Sequence, residues 1–140
     1  MQPLLPTGYK TIKTYNMQTA KKFLIFFHGL TSFMQFGLGI WILFALSSLL
    51  KVEHMIYSDS LKVFSTYFGA CLFIFASLGV LAIKFNLQNK PEGLTLSKFI
   101  GWWMLIAGVI VIMEIGRYDL GALDFARGIA ILISAYMVKK

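Results

Sequence analysis

The chain has few of the residues from which catalytic and metal sites are built. Its 140 residues include one cysteine, two histidines and six acidic residues. A single cysteine, Cys71, excludes an intrachain disulfide and a cysteine-based metal site. His28 and His54 are 26 residues apart in the sequence. That spacing is about 39 Å along a continuous helix, too far for both to ligate one haem iron. We therefore expect no enzyme activity, no metal and no resident cofactor.

Charged residues of any kind are also scarce. They make up 14% of the chain, against about 25% in an ordinary soluble domain. Hydrophobic residues make up 58%, and the mean hydropathy is +0.73. This balance is typical of an integral membrane protein. The net charge of +7 arises from lysines at the ends of apolar runs, rather than from one basic face, which argues against a nucleic-acid partner.

Long apolar runs are abundant. Four of them cover about residues 23–50, 63–83, 99–115 and 120–138. Each approaches or exceeds the length that a helix needs to cross a hydrocarbon layer of about 30 Å. None has the strict alternation of a membrane barrel strand. We predict an all-α protein whose four transmembrane helices form one domain, residues 23–140, after an interfacial tail at residues 1–22. Residues 1–16 of this tail are predicted to be irregular.

The basic residues predict how the helices are oriented. Nine of the thirteen lie in the N-terminal tail, the second connection and the C-terminus, while five of the six acids lie on the opposite side. Basic residues favour the cytoplasmic side of a membrane. We expect both termini on the cytoplasmic or equivalent side of a bacterial cytoplasmic membrane or an organelle inner membrane.

Five ionisable residues stand between the third and fourth apolar runs: Glu114, Arg117, Asp119, Asp124 and Arg127. Arg117 and Asp119 oppose the dipoles of the helix ends beside them. Glu114 and Arg127 have the unfavourable sign for their positions, so we predict that Arg127 extends outward to pair with Glu114. Arg117 and Asp124 would complete a structural cluster. The alternative is a proton path or cation site, because acids inside membranes often serve these functions.

Small residues recur at every fourth position of the fourth run, at Ala122, Ala126, Ala130 and Ser134. Helices in lipid associate through close contact of small residues. This ridge fits packing within the chain's own bundle, and it also fits docking against another subunit.

A polar stripe lies on the first run at His28, Ser32, Gln35 and Gly39. The spacing places these four residues on one helix face. We interpret His28 as a hydrogen-bonding partner of a neighbouring helix. The alternative is an axial ligand to haem or a pigment.

These features together favour a non-catalytic accessory or scaffolding subunit of a larger membrane complex. Its partners would be other integral membrane subunits and lipids, met through small-residue, polar and aromatic helix faces. Two alternatives stay open. One is a small oligomeric transporter that uses Glu114, Asp124 and Arg127, and the other is a cofactor-holding subunit with His28 as ligand.

Overall fold

The structure, a computed structural model, describes residues 7–46, 51, 58–115 and 118–138, and the side chains of 17–46, 51, 58–113 and 118–138. Within these ranges it has helices and no strand. The helices are α1 (Thr7–Phe44), α2 (Asp59–Leu87), α3 (Pro91–Ile110) and α4 (Tyr118–Val138), and a π-helical turn, Val111–Ile115, follows α3. The predicted all-α fold with four apolar helices is confirmed.

Each helix contains a segment long and apolar enough to cross a membrane. In the described part of the chain these segments are Met17–Phe44, Asp59–Leu87, Pro91–Met113 and Tyr118–Val138. The rise of 1.5 Å per residue gives even the shortest of them about 30 Å, the thickness of a hydrocarbon layer. Four such segments are the architecture of a multi-pass membrane protein.

The helix bounds differ from the sequence prediction mainly at the start of α1. This helix begins at Thr7, so the prediction of an irregular tail is wrong for residues 7–16. The tail's two prolines, Pro3 and Pro6, both precede Thr7, and nothing after them removes a helical hydrogen bond. The interfacial position of residues 1–22 stays a prediction, and residues 1–6 and 47–50 lie outside the described ranges.

Two short local signals set the connection between α2 and α3 and the start of α2. The Ser58 hydroxyl accepts a hydrogen bond from the Leu61 amide, 3.1 Å away, and so caps α2. Asn89 has a φ of 57° between α2 and α3, which allows the chain to reverse within three residues. Pro91 then opens α3, eight residues before the predicted start, because proline suits the first helical position.

The four helices form a ring in which each packs against its neighbours in the chain and α4 closes against α1. Neighbouring helices run antiparallel. Gly39 of α1 lies against Gly69 of α2, whereas Gly29 lies against Ile83. Leu24, Ala82, Ile100, Met104, Ile131 and Ala135, drawn from all four helices, form the buried apolar core. The cytoplasmic position of both termini stays a prediction.

Glycines bring the backbones of α3 and α4 into close contact. A methyl group added at Gly108 would lie 2.7 Å from the carbonyl oxygen of Gly121 and 2.8 Å from the amide nitrogen of Phe125. A methyl group added at Gly128 would lie 2.9 Å from the carbonyl oxygen of Gly101. Because these neighbours are backbone atoms, only a shift of a whole helix could relieve the overlap. Such contact provides much of the attraction between helices in lipid.

We predict that Gly108→Ala lowers the stability of the bundle by about 2 kcal/mol, the usual effect of overpacking a tight contact. Gly37→Ala is the matched control, because an added methyl at Gly37 meets nothing within 4 Å. Thermal unfolding of the two variants in detergent measures the difference. Equal unfolding temperatures for the two variants would contradict the close contact of α3 and α4.

Candidate functional site

Polar side chains are buried inside the bundle at two levels. The first level centres on His28 of α1, which is 0% exposed. The second centres on Arg127 of α4, which is 7% exposed. Polar groups that lose water must find partners within the protein, because an unpaired group in an apolar medium is costly. Those partners define what each level can do.

The His28 level joins α1, α2 and α3 by hydrogen bonds. The Nε2 atom of His28 lies 2.8 Å from the Ser97 hydroxyl oxygen. The side-chain amide of Asn86 donates to the same oxygen at 3.0 Å and to the carbonyl oxygen of Ala82 at 2.8 Å. It also donates to the carbonyl oxygen of Gly93 at 3.2 Å. Ser97 is therefore the shared centre of a network between three helices.

The contacts of Ser97 favour one tautomer of His28. The Ser97 hydroxyl lies 2.7 Å from the carbonyl oxygen of Gly93, to which it can donate its one proton. In that arrangement it accepts from Asn86 and from His28, which favours the imidazole proton on Nε2. The other ring nitrogen, Nδ1, is buried and has no partner among the described residues. The hydroxyl oxygens of Thr31 and Ser32 on the same helix are likewise buried without a partner in this part of the chain.

Asn86 and Ser97 are the two residues of this network that sequence reasoning missed. Ser97 falls in the turn before the predicted third helix, and Asn86 lies just beyond the predicted end of the second. The sequence feature that could have identified them is an amide or hydroxyl side chain at the end of an apolar run. Because α2 and α3 are longer than the apolar runs, both residues are inside the packed helices.

The predicted polar stripe on α1 contacts two different neighbours. Gln35 extends across the bundle and its amide lies 3.5 Å from the Met104 sulfur of α3. Ser32 and Gly39 instead face α2, where they lie against Gly79 and Gly69. The stripe therefore serves packing as well as hydrogen bonding.

His28 has the environment of a structural histidine. Its Nε2 faces Ser97 at hydrogen-bond distance and the ring is fully buried. A haem iron or pigment metal would have to displace Ser97 or enter between packed helices to reach that nitrogen. This geometry favours the hydrogen-bonding interpretation, and the cofactor interpretation stays an alternative. His54 lies outside the described residues.

At the second level, Arg127 forms an ion pair within α4. Its guanidinium contacts the carboxylate of Asp124, one turn earlier. The opposite side of the guanidinium lies 3.1 Å from the Met34 sulfur of α1, and its Nε donates to the Leu123 carbonyl oxygen at 3.4 Å. The side chain thus points into the bundle rather than outward, because Asp124 neutralises it there.

The other members of the predicted charged cluster are only partly described. Asp119 is exposed in the first turn of α4, and Arg117 and the Glu114 side chain lie outside the described residues. Gly128, next to Arg127, packs at the level of Leu105 in α3. Glu114 follows Leu105 by nine residues, about 13.5 Å of helix. A pair between Glu114 and Arg127 stays a prediction, and it requires both side chains to be extended.

The small-residue ridge of α4 lies largely outside the bundle. Ala122 and Ala126 are exposed, Ala130 is half-buried and Ser134 is buried. The residues of α4 that pack inside are Gly121, Arg127, Gly128, Ile131, Leu132, Ser134 and Ala135. Helix α4 therefore has a glycine-bearing inner face and an alanine-bearing outer face.

The fold and these two levels define a class: a multi-pass membrane protein with two levels of polar side chains inside an otherwise apolar bundle. Among the described side chains, no three of the histidine, cysteine, aspartate and glutamate residues are grouped to hold a metal ion. No protein-family model matches the chain, and no curated protein or solved structure is significantly similar to it. What the protein does has to be inferred from its own geometry.

We predict that Ser97→Ala destabilises the bundle by about 2 kcal/mol, because it leaves the buried Nε2 atom of His28 unpaired and removes one acceptor of the Asn86 amide. Ser77→Ala is a matched control. The exposed Ser77 hydroxyl also donates to the carbonyl oxygen one turn earlier, at 2.8 Å, but it joins no other helix. Thermal unfolding in detergent distinguishes the two variants. A Ser97→Ala protein as stable as Ser77→Ala would show that the network contributes little.

We predict that Asp124→Leu alone destabilises the protein by about 3 kcal/mol, because it leaves Arg127 charged and unpaired in the bundle. Arg127→Met alone should also destabilise it. The double variant should recover much of this loss, since two apolar side chains replace a buried pair. Lys62→Met, at an exposed lysine, controls for loss of positive charge. Strictly additive single effects would argue that the two side chains act independently.

Proposed function

We propose that this chain is a non-catalytic accessory or scaffolding subunit of a larger membrane complex, and that α4 contacts a partner helix through its outer face. The observation that carries the proposal is the exposure of Ala122 and Ala126 on a helix whose opposite face is already packed. The expected location is a bacterial cytoplasmic membrane or an organelle inner membrane.

The two faces of α4 are separated by half a turn. Ala122 and Ile131 are nine residues apart, which at about 100° per residue places them on opposite sides of the helix. Ile131 is 0% exposed and marks the bundle side. Exposed Leu123 and Phe125 lie on either side of the alanines around the helix, so the outer face has a shallow groove between larger side chains.

Such a groove suits a helix better than it suits lipid. Lipid chains are as apolar as the side chains, so helices in a bilayer gain little from burial alone. Small side chains allow two backbones to approach, and that approach supplies dispersion attraction. The inner face of α4 uses glycines in this way against α3. A transmembrane helix of another integral membrane subunit would pack closely against the alanines of the outer face.

The absence of a catalytic role is part of the proposal. Two histidines and one cysteine offer no nucleophile with its base and no set of metal ligands. The buried histidine is bonded to Ser97, and Cys71 is exposed on the surface of α2. The polar groups inside the bundle hold helices together, which is what a scaffold requires.

The test is native mass spectrometry of the protein purified in mild detergent from the membrane in which it occurs. We predict a complex that contains a different membrane chain, and we predict that Ala126→Trp removes that chain. Ala70→Trp is the matched control, because Ala70 is a small exposed residue on α2. Both variants should retain the helical content and unfolding temperature of the unaltered protein.

Two outcomes would contradict parts of this proposal, the first the accessory role and the second the contact face. One is a stable monomer that carries no second chain. The other is a complex that tolerates Ala126→Trp as well as Ala70→Trp, which would exclude the outer face of α4 as the contact. A complex made only of copies of this chain would favour the second candidate function.

The second candidate is a small oligomeric proton or ion transporter, and one observation favours it. Polar side chains follow the inside of the bundle from Asn86 through Ser97 and His28 to Gln35 and Arg127. Unpartnered polar atoms on His28 and Thr31 are suited to bind water between them. This candidate predicts flux in liposomes that Asp124→Asn abolishes while the protein stays folded.

A further inference from the structure

A cavity of about 570 Å³ opens where all four helices meet at one end of the bundle. Its polar lining includes Lys21 of α1, Asn86 of α2, and Asn89 and Lys90 of the connection to α3. Leu94 and Val138 contribute apolar surface. With Gln18 of α1 also in the lining, the cavity joins two cationic groups and three side-chain amides to an apolar wall.

The charges around the cavity favour an anion. Lys21 donates from Nζ to the side-chain oxygen of Asn89 at 2.7 Å, which holds the ammonium at the rim and leaves two of its protons free. The Lys90 ammonium lies 5.5 Å from the centre of the Phe85 ring, a cation–π contact that also limits its motion. None of the described residues that line the cavity is acidic, and Glu92 is exposed nearby in the first turn of α3.

The position of the cavity identifies the source of that anion. The apolar spans of α1 and α3 begin at Met17 and Pro91, and those of α2 and α4 end at Leu87 and Val138. The cavity therefore lies at the level where hydrocarbon gives way to headgroups. Basic pockets between transmembrane helices are suited to the phosphates of anionic lipids. A soluble anion would have no use for the apolar wall.

We propose that this cavity binds an anionic phospholipid, with the phosphate between Lys21 and Lys90 and the upper part of an acyl chain against Leu94 and Val138. The side-chain oxygen of Asn89 accepts from Lys21, so the nitrogen of the same amide offers a further donor to the phosphate oxygens. This site is independent of the accessory role, because it uses the end of the bundle rather than the outer face of α4.

The test uses the full chain in mild detergent, titrated with phosphatidylglycerol or phosphatidylcholine and followed by native mass spectrometry. We expect phosphatidylglycerol to bind more tightly. Lys21→Gln and Lys90→Gln should each weaken its binding about fivefold, the effect of one lysine near an anionic headgroup. Lys62→Gln, at an exposed lysine in the first turns of α2, should leave binding unchanged. Lys21→Arg should retain most of the affinity.

Three results would overturn the proposal. The first is equal affinity for phosphatidylglycerol and phosphatidylcholine. The second is an equal loss of affinity in Lys62→Gln and Lys21→Gln, which would indicate general charge attraction without a site. The third is displacement of the lipid by millimolar inorganic phosphate, because a free anion would then be the occupant. Circular dichroism and unfolding temperature confirm that each variant is folded.

Discussion

The pairing of Arg127 with Asp124 is the interaction on which the interior of this bundle depends. A guanidinium that is 7% exposed in a membrane helix is tolerated only where an opposite charge and further acceptors meet it. Asp124 supplies the charge from the previous turn, and Met34 brings α1 against the same group. The ion pair therefore determines which face of α4 points into the bundle, and its contact with Met34 places that face beside α1.

Buried polar groups also need partners at the His28 level, where the groups are neutral rather than charged. Ser97 serves His28, Asn86 and Gly93 at once, so one hydroxyl orders three helices. Hydrogen bonds are directional and glycine contacts are not, so the two kinds of contact determine different features of helix packing. Glycines set how closely α3 and α4 approach, while the polar groups set which rotation of each helix is allowed.

The sequence was sufficient to predict the number and class of the helices, because runs as apolar as residues 63–83 leave few alternatives to a membrane helix. It was insufficient at their ends: Thr7 begins α1 although hydropathy gives no signal there, since helix formation outside lipid does not require apolar residues. It also predicted that Arg127 extends outward to Glu114, whereas the guanidinium lies inside the bundle against Asp124 and Met34. The sequence does not show that α1 lies beside α4, and this placement orients the guanidinium. The alanine ridge was equally ambiguous, because spacing identifies a face of a helix but not its neighbour.

Helix α1 continues without a break from Thr7 through the apolar span that begins at Met17. The ten residues before that span form a rigid extension of about 15 Å. A bilayer that grows thinner makes a long helix lean, and a change in tilt of about 20° would carry the tip of the extension sideways by about 5 Å. Any change in the tilt of the span would therefore also displace the first turns of α1.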